Sequence, residues 1–418
     1  MTFSQINAAS FADRCNADGE FQIAARYWSG GFSFISAHDR LSMIVESGVL
    51  SAGDPGDGPG VISLSGSWDA LLAAVPPRFM NDIHVLIDIG LFSFSGDPLL
   101  FAQYYPALMR AVELLRQKAP RTERAPCEPA RNYSQLDSPV GRYIHLDIED
   151  QDYRIYYEEA GHGIPLLLQH TAGGHGSQWR HLFETPEITD HFHLIAYDLP
   201  FHGKSIPPVG PKWWAEEYKL TTSLVRAIPV ALAKSLGLDR PVFMGCSVGG
   251  VWALDLARYH PEDFRAVISL EGALKIDYDI EKLYALWHPQ VSNEFKARAM
   301  NAPMSPCSPE SYRKETSQIY AAGWPPLFLG DLNYYMVEYD LHDEAKFIDT
   351  NKIAVHILSG EYDASGTIMA GEEAQQAIAD STFSTMQDAG HFPMSENPQK
   401  FIEYLLPILK KFTVKHNE

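Results

Sequence analysis

From about residue 141 onward, short apolar runs alternate with amphipathic helical patterns, and this alternation constrains the fold more than any other feature. The runs are I-P-L-L-L-Q (164–169), F-H-L-I-A-Y (192–197), P-V-F-M-G (241–245), A-V-I-S-L (266–270) and A-V-H-I-L-S-G (354–360). Helical periodicity separates them at Thr222 to Leu236, Val248 to His260 and Gly371 to Ala379. Continuous apolar strands alternating with helices predict a mostly parallel sheet covered on both faces. Just before them, Y-I-H-L-D-I and Y-R-I-Y-Y-E read as a hairpin pair. In such sheets the functional groups sit beyond the carboxyl ends of the strands.

The preceding region has a different texture. A helix is expected from Phe11 to Trp28, then strand-like F-S-F-I-S, L-S-M-I-V-E-S-G-V-L and G-V-I-S-L-S-G. Helices follow at Trp68 to Ala74 and Pro98 to Gln117. This is a smaller α+β domain, residues 1–120. Residues 121–140 lie in a stretch rich in Pro and charge, without periodicity, and read as the linker to the 141–418 domain. At 418 residues, two domains are the expected organisation.

Charge and cysteine content exclude several classes. A net charge of -20 argues against nucleic-acid or anionic-membrane partners. The four cysteines, Cys15, Cys127, Cys246 and Cys307, show neither disulfide-framework nor zinc spacing, which suits a reducing cytoplasm. The N-terminus carries no secretory-signal pattern, and no apolar run approaches the roughly 18 residues of a membrane span. His191 and His193 share a strand face but have no ligand partner at metal spacing, so no metal and no cofactor are expected.

The run P-V-F-M leads into G-C-S-V-G-G, and a helical pattern leads out. A sharp strand-to-helix turn of this kind exposes its central residue, Ser247, while Gly245 and Gly249 give neighbouring backbones room. Cys246 points back into the sheet and reads as packing. A nucleophilic serine needs a base and a group to orient that base. His391 stands in D-A-G-H-F-P after a strand, and Asp363 in S-G-E-Y-D just past another. Glu361, Asp388 and Glu271 compete for the acid, with Asp363 favoured. Oxyanion donors are expected from the amides of Val248, after the nucleophile, and Ala172, in the loop Q-H-T-A-G-G-H-G-S-Q-W.

Taken together, these residues resemble the α/β-hydrolase fold family from about residue 141 to the end. H-T-A-G-G is similar to its oxyanion loop, with Thr171 where the family usually has glycine. Y-D-L-P-F-H-G-K-S is similar to its D-x-x-G-x-G-x-S turn, here with Phe201-His202-Gly203. The resemblance implies a Ser247–Asp363–His391 triad. Serine at 247 argues against epoxide hydrolases and haloalkane dehalogenases, which use aspartate there, and against dienelactone hydrolases, which use cysteine.

The resemblance also implies a lid at about 272–350, a stretch holding Tyr284, Trp287, Trp324, Phe328, Tyr334 and Tyr335. Thr171, Trp213, Trp214, Trp287 and Trp324 are candidates for the substrate pocket. Arg180 is weighed as a carboxylate binder and read rather as a surface helix residue. The N-terminal domain is weakly similar to sterol-carrier-protein-like domains; a packing or dimerisation role, and with it a homodimer, stays open. The expected activity is cofactor-independent hydrolysis of a fairly apolar small-molecule carboxylic ester through an acyl-enzyme. The alternatives are hydrolysis of a C–C bond in a diketone or ring-cleavage product, and a non-catalytic lipid-binding protein.

Overall fold

The computed structural model describes residues 3–77, 80–116, 134, 136–278, 283 and 287–414. Residues 121–133 and 135 of the linker stretch lie outside them, as does Tyr284. The chain forms two compact units: Met1–Glu123 with Ala285–Ala302, and Arg124–Tyr284 with Pro303–Glu418. Residues 285–302, expected within the lid, therefore cluster with the N-terminal unit.

The first unit carries a five-stranded sheet, β1 (Gly30–Ile35), β2 (Arg40–Glu46), β3 (Val49–Ala52), β4 (Val61–Gly66) and β5 (Phe92–Ser95), in the order β3-β2-β1-β4-β5. Only β1 and β4 pair in parallel. The single helix expected over Phe11 to Trp28 is two, Ala8–Ala17 and Gly19–Ala25. Asp18 divides them: its extended backbone ends the first, and its carboxylate accepts the Phe21 amide at 2.9 Å to cap the second. L-S-M-I-V-E-S-G-V-L is likewise two strands, because Ser47 (φ 50°) and Gly48 (φ 83°) form the left-handed turn of a tight hairpin. Helix Asn293–Ala299 packs on helix Pro98–Leu115: Phe295 meets Tyr105 edge-on at 5.1 Å, and Arg298 bonds Glu113 at 2.7 Å.

The second unit is built on eight strands: β6 (Val140–Ile148), β7 (Gln151–Gly161), β8 (Ile164–Gln169), β9 (Phe192–Tyr197), β10 (Val242–Cys246), β11 (Ala266–Leu270), β12 (Ala354–Gly360) and β13 (Thr382–Met386). Their order is β13-β12-β11-β10-β8-β9-β7-β6, with β7 antiparallel to both of its neighbours, β6 and β9, and every other pair parallel. Period-2 alternation sends side chains to two cores. Leu167, Phe243, Val267 and Ile357 pack one face with Trp252 of helix Val248–Tyr259. Leu166, Leu168, Met244 and Ile268 pack the other with Phe401 and Leu405 of helix Pro398–Val414. The fold is the expected mostly parallel sheet with helices on both faces, preceded by a smaller α+β unit. Among the described residues no helix is long and apolar enough to cross a membrane.

Candidate active site

The turn after β10 is held by close packing. A Cβ at Gly245 would lie 2.4 Å from the Gly249 carbonyl oxygen, and one at Gly250 would lie 2.2 Å from that of Leu270. Only glycine lets helix Val248–Tyr259 start this close to the sheet. Ser247, between strand and helix, adopts φ 60° and ψ −114°, a sparsely populated conformation for a residue with a side chain. Its amide is fixed to the Leu270 carbonyl at 2.9 Å. Cys246 is fully buried, and its thiol donates to the His391 carbonyl at 3.0 Å, so the serine turn and the histidine turn are in contact.

Asp363 lies three residues beyond the end of β12 and is fully buried. Its Oδ1 accepts from His391 Nδ1 at 2.8 Å and from the Ser365 amide at 3.0 Å; Oδ2 accepts from the Gly366 amide at 2.8 Å. Burial by itself would raise this carboxyl, but the facing imidazole and the donors outweigh it and hold the pKa below the usual carboxylate value. The Ser365 hydroxyl also lies 3.1 Å from His391 Nδ1. With Nδ1 engaged, Nε2 is the imidazole nitrogen left for proton transfer. A direct bond from Ser247 to His391 is not formed among the described residues; such bonds are commonly long in unliganded sites.

Of the competing acids, Asp388 is exposed, and Glu361 accepts the Asp388 amide at 3.0 Å. Glu271 follows β11 directly, at φ 54° and fully buried, with both carboxyl oxygens on the Gly360 amide at 2.9 and 2.8 Å. Burial first, then the neighbouring Asp363 charge, pushes its pKa well above the ordinary value. Burial thus pushes Glu271 toward its neutral form, while the facing imidazole keeps Asp363 toward its charged one.

Ala172 and Val248 are buried in one cluster, and neither amide has a hydrogen-bond acceptor among the described residues. Both remain available to an incoming oxygen. Thr171 is committed elsewhere: its amide donates to Gln178 Oε1 at 3.0 Å, and its hydroxyl pairs with Gln178 and Tyr320. Gly173 (φ 65°) sits under Phe328 and donates its amide to Asp331 Oδ2 at 2.7 Å. Asp331 is fully buried and also accepts from His202 Nε2 and the Tyr218 hydroxyl, each at 2.8 Å. Burial opposes charge on His202, but the facing carboxylate prevails and raises its pKa. Sequence reasoning missed Asp331; its signal was one acidic residue inside the apolar helix L-F-L-G-D-L.

Trp213 and Trp324 meet through Phe201, at ring separations of 5.8 Å from each and 5.9 Å from one another. Trp214 contacts Trp213 but is 66% exposed. Trp287 belongs to the segment that clusters with the first unit. Arg180 is engaged by Glu315 and Glu184, at 2.8 and 2.7 Å for its Nη atoms. His193 pairs with Glu159 at 2.9 Å. Among the described residues no cluster of metal-ligating side chains is found.

Comparison with known proteins agrees with this architecture. The family model for the alpha/beta hydrolase fold matches residues 164–398. A 3-oxoadipate enol-lactonase from Acinetobacter baylyi is 24% identical, over 63% of this chain and 95% of that protein. A bifunctional epoxide hydrolase from Sus scrofa is 32% identical over 28% of this chain, but only 20% of that protein is spanned. A solved esterase from Thermogutta terrifontis superposes with a TM-score of 0.54 at 20% identity, covering 65% of this chain and 98% of that one. The chain belongs to the alpha/beta hydrolase fold family and is a hydrolase of that family.

Proposed function

We propose that the protein is a serine hydrolase that cleaves carboxylic esters, cyclic esters included, through an acyl-enzyme. The observation that carries this reading is the 2.8 Å His391–Asp363 hydrogen bond, held beside the strained Ser247 turn by the Cys246–His391 contact. Ser247 Oγ attacks the carbonyl carbon and gives its proton to His391 Nε2. Asp363 holds the tautomer in which Nε2 is the base and stabilises the imidazolium that forms. The Ala172 and Val248 amides receive the developing oxyanion. The imidazolium returns the proton to the departing alcohol oxygen, and water then repeats the sequence on the acyl-serine. No cofactor enters the scheme.

The aromatic residues near the loop that carries Ala172 favour a fairly apolar substrate. Tyr320, Phe328 and Phe392 pack in series beside the oxyanion loop, and Phe201, Trp213 and Trp324 form a second aromatic group. A lactone is the ring-closed case of the same chemistry, and the enol-lactonase relative supports including it. Ser247→Ala should abolish hydrolysis of p-nitrophenyl esters and labelling by a fluorophosphonate, with an unchanged melting temperature. Full activity in that variant would overturn the proposal.

A further inference from the structure

Tyr335 lies on the π-turn Asn333–Glu338 and is 2% exposed. It packs in the same cluster as Ala172 and Val248, the two expected oxyanion donors. Its hydroxyl neighbours those of Ser247 and Ser365 but forms no hydrogen bond of normal geometry among the described residues. The adjacent Tyr334 also has an unbonded phenol, but its ring packs against Trp252 and Tyr339. The widened turn thus gives successive tyrosines different neighbours within the same core. A buried hydroxyl without a partner is costly unless something else satisfies it. Widened helical turns of this kind recur at functional sites.

We infer that Tyr335 is a substrate-binding residue whose phenol donates a hydrogen bond to the bridging, leaving-group oxygen of the ester, which suits the site to unactivated alkyl esters and lactones. This rests on the reading of Ser247 as the nucleophile. An ester presents two oxygens to that serine. The carbonyl oxygen belongs to the Ala172 and Val248 amides, which leaves the bridging oxygen on the histidine side. Tyr335 is on that side: it faces Ser365, whose hydroxyl lies 3.1 Å from His391 Nδ1.

The proton balance needs only a donor there. As the tetrahedral intermediate collapses, the C–O bond breaks and the imidazolium delivers to the bridging oxygen the proton taken from Ser247. Tyr335 keeps its own proton throughout. Burial raises the phenol above its ordinary pKa, so it is a donor and not a base at neutral pH. A nitrophenolate leaves without this help, whereas an alkoxide does not.

The test is Tyr335→Phe in the full chain, assayed on esters that share one acyl group and differ in leaving group, from p-nitrophenol to ethanol. The expected result is kcat/KM for the nitrophenyl ester near the wild-type value and a loss of about 10- to 100-fold for the ethyl ester, the range for one hydrogen bond to developing charge. Fluorophosphonate labelling should keep its wild-type rate, since fluoride needs no proton to leave. An equal loss across all esters and in labelling, or no loss on the ethyl ester, overturns the assignment. Ser247→Ala is run beside it. Retained ester hydrolysis there overturns the serine reading itself, whatever the tyrosine variant does.

Discussion

The Asp331 carboxylate accepts the Gly173 amide at 2.7 Å, tying helix Leu327–Leu332 to the loop that carries Ala172. The same oxygen accepts from His202, so the loop after β8 and the turn after β9 converge on one buried charge. A fully buried carboxylate with three donors is a rigid anchor. It fixes where the neighbouring Ala172 amide can point. Asp331 is therefore a positioning residue for the expected oxyanion donor.

Replacing Asp331 by Asn keeps the shape and one acceptor but removes the charge that holds His202 and Gly173. The expected outcome is a fall in kcat of about tenfold or more with KM little changed, because the oxyanion contact matters most in the transition state. Asp331→Ala should also unfold more easily, by about 3–5 kcal/mol, since it leaves His202 buried without its partner. Steady-state kinetics and denaturant titration of both variants check this. A KM effect with unchanged kcat would place Asp331 in substrate binding instead.

What the sequence revealed follows from the range of the forces involved. Strand β10, the glycine turn and the following helix are local, so Ser247 stood out from Gly245, Gly249 and the apolar run before them. His391 and Asp363 were legible because each follows a strand end, where a doubly covered sheet exposes side chains. Asp331 was not, because its partners Gly173, His202 and Tyr218 lie more than a hundred residues away and no local pattern marks them. Glu271 was recognised as an acid near the site, but the push toward its neutral form comes from burial beside Asp363, which no local pattern shows. The break at Asp18 was missed because its apolar neighbours continue a helical rhythm that one capping side chain overrides. The association of Asn293–Ala299 with the first unit rests on contacts such as Phe295–Tyr105 and Arg298–Glu113, again far apart in sequence.

Burial pushes Glu271 toward its neutral form and the facing His391 holds Asp363 toward its charged form, so the two should respond differently to amide substitution. Asp363→Asn removes the negative partner of His391 and favours the wrong tautomer; a loss of kcat of about 10⁴-fold is expected, as for triad aspartates generally. Glu271→Gln mimics the neutral acid and can still donate to Asp363, so kcat should stay within about threefold of wild type. Glu271→Ala opens a void beside Asp363, and its kcat should fall between the two. If Glu271→Gln were as damaging as Asp363→Asn, Glu271 would be the ionised partner and the assignment would reverse.

Cys246 adjoins the nucleophile but has no role in the chemistry proposed. Burial first, and the neighbouring acidic groups after it, push its thiol well above the ordinary value, so it carries no thiolate at neutral pH. In the folded protein iodoacetamide should leave Cys246 unmodified while labelling the exposed Cys307. Cys246→Ser keeps a donor to the His391 carbonyl and should retain most of kcat. Peptide mapping after alkylation, with the kinetics of that variant, tests both statements. Rapid alkylation of Cys246 with loss of activity would contradict them.

Glu396 gives the fold a specific pH dependence. It is fully buried and clasps the histidine turn by accepting the Gly390 and Ser305 amides. Burial pushes its pKa to about 8, against the lowering effect of those amides. The folded protein therefore holds this proton from the unfolded value, about 4.5, up to about 8, while the unfolded chain releases it. Over that window the folded state binds more protons, so stability must fall as pH rises, by up to about 1.4 kcal/mol per pH unit from this group. Glu396→Gln fixes the neutral form and removes that slope. Urea unfolding at pH 5, 6, 7 and 8 should show the wild type losing stability more steeply than the variant, the two differing most at pH 8. Parallel curves would mean that Glu396 is ionised in the folded protein and that its amide contacts, rather than its proton, compensate for burial.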